Sequence, residues 1–101
     1  MTTGTNMINV LTRFKAQSGK EKALLELLKS LVQPTRNELG CVKYELHQEN
    51  EKQGHFIFIK SFVDHAAFEK HQNTGHFKRL KKEMPELIAQ EPEIIILSRH
   101  A

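Results

Sequence analysis

Residues 56–63, Phe56-Ile57-Phe58-Ile59-Lys60-Ser61-Phe62-Val63, are apolar on both of the faces that a β-strand presents. Side chains alternate along a strand, so Phe56, Phe58 and Phe62 share one side while Ile57 and Ile59 share the other. A small domain covers one sheet face with its helices and leaves the other to water. A strand apolar on both faces therefore needs two covers. This strand feeds directly into Asp64, a good helix N-cap, and Ala66-Ala67-Phe68 opens a short helix running to about Asn73. The segment ends in His71 and His76, five residues apart, which are the chain's best candidates for chemistry.

The remaining sequence reads as a frame for this unit. Met7 to Lys15 alternates as a strand, with Ile8, Val10, Thr12 and Phe14 on one face and Met7, Asn9, Leu11 and Arg13 on the other. Ser18, with Glu21 three residues later, predicts a capping box. Ala23, Leu24, Leu27, Leu28, Leu31 and Val32 then form a helical apolar stripe. Pro34 should bend this helix or end its regular part near Val32 or Gln33, and Gly40 supplies a left-handed stop. Cys41 to Glu49 is a second strand, with Val42, Tyr44 and Leu46 on one face and Cys41, Lys43, Glu45 and His47 on the other. Asn50 to Gly54 turns it into the third strand, His55 to Val63. Beyond the short helix, Thr74 caps a further helical segment whose buried side is Phe77, Leu80, Met84 and Leu87, interrupted at Pro85. Ile94 to Leu97, after Pro92, is a fourth strand whose run of aliphatics predicts burial on both faces. The order β-α-β-β-α-β is the split βαβ, or ferredoxin-like, arrangement of α+β proteins, with an antiparallel sheet. Its helices cover one sheet face. Two protomers packing sheet to sheet are the simplest cover for the other, so a homodimer is expected.

The length of 101 residues suits one domain, taken as residues 7–101 behind a polar, flexible segment over residues 1–6. A composition 39% hydrophobic and 27% charged is that of an ordinary globular protein. The net charge of +3 is mild, and the basic cluster Lys78, Arg79, Lys81 and Lys82 reads as a solvated helix face. No aromatics interleave with it, so no nucleic-acid partner is expected. The single cysteine, Cys41, excludes an intrachain disulfide and fits a reducing cytoplasm, where it is read as a small core residue. No run approaches the ~18 apolar residues of a membrane helix, so no membrane partner is expected either.

Phosphate-cradling glycine loops, zinc-ligand spacings and nucleophile elbows are absent from the sequence. His71, three residues after Phe68, points partly inward; it reads as a structural histidine or as a general base. His76 reads more as part of a helix start. A metal pair is not expected from these two, because their spacing fits a shared helix face poorly and no third ligand is evident. Tyr44, the chain's one tyrosine, should bury its ring and needs a partner for its hydroxyl. Arg13, Arg36 and Asn9 are candidates to orient an anionic or phenolic substrate, against a default of surface roles. His47, His55, His65 and His100 read as exposed strand or helix ends.

The run Arg36-Asn37-Glu38-Leu39-Gly40-Cys41-Val42-Lys43-Tyr44-Glu45-Leu46-His47 closely resembles the segment joining helix and second strand in the antibiotic biosynthesis monooxygenase family. Phe56 to Asp64, followed by Ala67 to Phe77, resembles that family's third strand and its H-x-x-T-x-H-F signature. The resemblance covers nearly everything from Met7 to Leu97. It implies a dimeric α+β barrel of ferredoxin-like chains, with a pocket between helices and sheet in each protomer. It also implies an oxidoreductase that oxidises a quinol or phenol with molecular oxygen, without metal, flavin or other cofactor. His71 would be the base, Tyr44 and Asn9 would position oxygens, and Arg13 would stabilise negative charge, with His76 and Lys60 also bordering the substrate. Haem-degrading members use an asparagine, a tryptophan and a proximal histidine. This chain places Thr12, His71 and Lys81 near those positions, so haem degradation is disfavoured. A further branch isomerises a phosphorylated signalling sugar and shares the histidine signature, which leaves an isomerase or tautomerase as the alternative enzyme. A non-catalytic ligand-binding dimer is the alternative outside enzymes. Many members carry a glutamate where this chain has Lys60, a change that alters pocket polarity.

Overall fold

The computed structural model describes residues 6–101; the flexible segment expected over residues 1–6 lies, apart from Asn6, outside them. Strand β1 (Ile8–Lys15), helices α1 (Glu21–Lys29) and α2 (Val32–Arg36), strands β2 (Cys41–Gln48) and β3 (His55–Phe62), helices α3 (His65–Gln72) and α4 (Gly75–Glu83), and strand β4 (Glu93–Leu97) follow in that order. A turn of 3-10 helix at Met84–Glu86, with Pro85 inside it, closes α4. The strands make one antiparallel sheet ordered β2-β3-β1-β4, with β1 and β3 central. This is the expected ferredoxin-like α+β class.

Strand register decides what faces the helices. Val10, Thr12 and Phe14 of β1 stand opposite Lys60, Phe58 and Phe56 of β3, and Tyr44 of β2 stands opposite Lys60 from the other side. All of these are buried, and with Phe62 and the α1 leucines Leu24, Leu27 and Leu28 they make the core beneath the helices. Removing each such Phe or Leu side chain from water is worth about 1.5–3 kcal/mol, which makes this row the main stabilising feature of the fold. The opposite face carries Leu11, Ile57, Ile59 and Ile95, all only half-buried, and none of the described helices lies over it.

Several local expectations are corrected. Helix α1 starts after Lys20 without a side-chain cap, and the Ser18 capping box does not form. Instead Lys20 N–H closes a turn onto the Gln17 carbonyl, and Gly19 takes a positive φ of 87°. Gln17 is itself tied to Leu87 and Ile88, so the turn is anchored and the helix begins beyond it. Ala23 is exposed, outside the buried stripe. The helix breaks at Ser30, earlier than Val32, because a proline ring obstructs the carbonyl four residues before it and Pro34 lies four after Ser30. Pro34 then sits harmlessly in the first turn of α2, where its missing N–H is not needed.

Strand β2 carries an irregularity between Cys41 and Lys43, with Val42 unpaired between them. A bulge of this kind reverses the alternation. Cys41 consequently packs on the core beside Phe62, whereas Val42, assigned to the Tyr44 face by parity, is 54% exposed. Strand β4 is an edge strand, and Ile94, Ile96 and Leu97 are exposed within the chain rather than buried on both faces. The caps at the other end hold as expected. Asp64 accepts from Ala67 N–H at 2.8 Å, and Thr74 accepts from Phe77 N–H at 3.2 Å.

Candidate functional site

The chemistry gathers where α3 turns into α4 above β2 and β3. His71 is fully buried in the last turn of α3. Its ring packs on Phe62 at 4.9 Å between centroids, on Phe77 at 5.1 Å and on Tyr44 at 5.7 Å. Thr74 closes the corner by donating its hydroxyl to the His71 carbonyl at 2.7 Å while capping α4. The corner therefore puts His71 and His76 on the two sides of a bend, so their spacing is not that of a shared helix face.

What joins them is Glu38, which sequence reasoning passed over. Its Oε2 accepts from His71 Nδ1 at 2.9 Å and from His76 Nε2 at 2.6 Å. Glu38 opens a tight turn in which Cys41 N–H bonds the Glu38 carbonyl, between α2 and β2. Gly40 in that turn lies against α3 so closely that a Cβ on it would overlap that of Ala67. The glycine serves close approach, not the left-handed stop expected of it, since its φ is not positive. That approach brings the carboxylate within reach of both histidines. A glutamate two residues before a glycine was visible in the sequence; its pairing across more than thirty positions was not.

The electrostatics of His71 are set by burial. Desolvation lowers its pKa below the ordinary 6.5, opposed by the Glu38 hydrogen bond and charge, with the Lys60 ammonium and His76 pushing it down as well. A carboxylate on Nδ1 fixes the tautomer with the proton there. Nε2 is then a lone pair, and it is buried with no hydrogen-bond partner among the described residues. Glu38, His71 and His76 offer three ligand atoms within 4.8 Å of one another, so the third donor that the sequence did not reveal does exist in space. Tetrahedral zinc with bonds of ~2.0 Å would hold its ligand atoms roughly 3.3 Å apart. The 2.6 and 2.9 Å separations are those of shared protons.

A cavity of about 530 Å³ lies between the sheet and the α3–α4 layer, within the size range of small-ligand sites. Tyr44, Phe58, Phe77 and Ile96 line it, together with Thr12 and Lys60. His71 does not line it. Tyr44 and Phe77, which touch His71, do. Burial drives the Tyr44 phenol well above its usual range; the nearby Thr35 hydroxyl opposes this, yet makes no hydrogen bond of good geometry. Lys60 is only 6% exposed, and burial pulls its pKa from 10.5 down to about 8.

The site candidates thus divide. Tyr44 and Lys60 border the cavity; His71 lies behind Tyr44 and Phe77, and His76, joined to it through Glu38, does not line the cavity as expected. Asn9 and Arg13 lie on the opposite sheet face and cannot reach it. Asn9 Oδ1 accepts from Ser61 Oγ at 2.7 Å, and Arg13 pairs with Glu93 at 3.3 Å in the open. Their odd positions on β1 put them across the sheet from Val10, Thr12 and Phe14; Thr12, buried at the cavity, is the first-strand polar group that faces a ligand.

Comparison with known proteins places this geometry. Residues 7–83 match the family model described as antibiotic biosynthesis monooxygenase. Putative monooxygenase Rv0793 of Mycobacterium tuberculosis is 26% identical over 93% of this chain and 92% of its own. Putative monooxygenase YcnE of Bacillus subtilis is 27% identical over 88% of this chain and 94% of its own. The chain spans 60% of the length of a further relative, the uncharacterised protein sll1783 of Synechocystis. The crystal structure of PA3566 from Pseudomonas aeruginosa superposes with a TM-score of 0.91 over 100% of both chains at 36% identity. With the model matching from the start of β1 to the end of α4, the chain belongs to the antibiotic biosynthesis monooxygenase family.

Proposed function

We propose that the protein is a monooxygenase that oxidises a small aromatic quinol or phenol with molecular oxygen and no added cofactor, with His71 as its base. The observation that carries this reading is the Glu38–His71 pair, which leaves a neutral, unpartnered Nε2 behind the wall of an aromatic cavity. The reaction asks little more of a protein. Removing the phenolic proton makes an electron-rich anion that passes an electron to oxygen; the resulting radicals combine at the ring carbon. Loss of water from that adduct leaves a carbonyl. One oxygen atom enters the product, the other departs as water with the single hydrogen of that ring carbon and the phenolic proton that His71 took up, and no outside reductant is consumed. Burial serves both steps by keeping Nε2 free of competing water. Phe77, half-buried and touching both His71 and the cavity, is the side chain whose displacement brings ligand and base together. The names of the Mycobacterium and Bacillus relatives support the monooxygenase class.

The uncovered sheet face, with Leu11, Ile57, Ile59 and Ile95 at its centre, supports a homodimer formed sheet to sheet. An isomerase would use the same Glu38–His71 pair for proton transfer alone, and it differs in turning over without oxygen. The test is oxygen uptake by metal-free protein across a panel of quinols. Uptake with at least one member is expected, falling at least 100-fold in His71→Ala, the scale of one general base. Folded protein that consumes no oxygen with any of them, or a His71→Ala variant as active as wild type, defeats the reading.

A further inference from the structure

Two polar groups in the cavity floor have no hydrogen-bonded or ionic partner among the described residues. Thr12 is 3% exposed and its Oγ1 makes no hydrogen bond with any described residue. Lys60, 6% exposed, makes no salt bridge with any described residue. They belong to adjacent central strands and the same face: Lys60 pairs with Val10, two residues along β1 from Thr12. Lys60 Nζ stands 5.9 Å from the ring centroids of both Tyr44 and Phe58, at the outer limit of cation–π attraction, so the rings compensate its charge only in part. The other charged lining residues, Lys81 and Glu91, are exposed. Phe14, Phe58, Phe68 and Phe77 supply flat apolar walls.

We propose that this cavity takes a planar aromatic monoanion, whose negative oxygens are received by Lys60 Nζ and Thr12 Oγ1. An ammonium and a hydroxyl that line one cavity from adjacent strands present two donors to one carboxylate or phenolate, and aromatic walls select the rest of the ligand. An uncharged ligand of the same shape leaves the ammonium buried and unpaired, so charge becomes the basis of selection. The proposal rests on the preceding reading's cavity and adds the charge of what enters it.

The test uses equilibrium binding of the full chain, by calorimetry at pH 7, to 2-naphthoate and to its neutral isostere 2-naphthamide. The carboxylate is expected to bind about 10–100-fold tighter, the worth of one hydrogen bond to a charged group. In Lys60→Met that preference disappears. Thr12→Val weakens the carboxylate several-fold. Equal affinities in the wild type, binding of neither compound at millimolar concentration, or a preference that survives Lys60→Met overturns the proposal. The wild-type comparison needs no variant to fold. Because no turnover is read, its failure leaves the oxygenase reading standing, and absent oxygen uptake leaves this one standing.

Discussion

Replacing Lys60 by methionine tests the electrostatics of the cavity through stability. Burial lowers the lysine pKa from 10.5 to about 8, and desolvation is the one cause. The gap between those values, at about 1.4 kcal/mol per pH unit, means that the folded state carries a penalty of about 3 kcal/mol whenever the amine is charged. Attraction to the Tyr44 and Phe58 rings offsets only about 0.5–1 kcal/mol at the observed separation, so the penalty wins. The sign follows from proton counting. Below pH 8 both states hold the proton and the penalty is complete; between pH 8 and 10.5 the unfolded chain binds it better, so stability rises with pH. Methionine keeps the length of the stem and removes the charge. Lys60→Met should therefore be more stable than wild type by about 2–2.5 kcal/mol at pH 7, and the difference should shrink toward zero as pH approaches 10.5. Urea unfolding followed by circular dichroism, at one fixed protein concentration so that self-association contributes equally, measures it. The paired difference cancels most other titrations, including that of the neighbouring Tyr44 phenol. A variant less stable than wild type at pH 7, or an offset constant with pH, refutes the reasoning and means that the ammonium is solvated or paired.

Four further outcomes follow from the same structure. Glu38→Gln removes the charge that holds the His71 pKa up, so the acid limb of kcat/KM, already below pH 6.5, should move to lower pH while turnover falls at least about tenfold; an unmoved limb argues against His71 as the base. Wild-type stability should likewise decline as pH drops below 6.5, because the unfolded histidine accepts a proton that the buried one resists. Gly40→Ala drives a methyl into Ala67 and should cost about 1–3 kcal/mol in thermal or urea unfolding, with wild-type stability in the variant contradicting the close approach of that turn to α3. Ile59→Asp, at the middle of the uncovered face opposite Leu11, should convert a dimer to monomer in light scattering; a wild type that is monomeric at micromolar concentration ends the dimer proposal.

Much of this protein is legible in its residues because the controlling physics is local. Alternation along Ile8–Lys15 and His55–Phe62 specifies strands with one mostly apolar side, and the short side chains of Asp64 and Thr74 cap the helices that follow them. The element order then leaves the ferredoxin-like sheet as the natural packing. What the sequence left open depends on contacts between distant segments. The early break at Ser30 and the unused cap at Ser18 are set by a proline four residues on and by an anchoring turn against Leu87 and Ile88. A bulge at Val42 exchanges the faces of two residues that strict alternation had assigned the other way. Which face of β1 the helices cover is a property of the whole sheet, and it removes Asn9 and Arg13 from the site while placing Thr12 in it. Glu38 is brought to His71 and His76 only because Gly40 lets one turn lie against α3. The strand from Phe56 to Val63 illustrates the division: alternation by itself determined that both of its sides need cover, and only the packed helices decided that Lys60, among its phenylalanines, lies on the side where water is excluded and charge is costly.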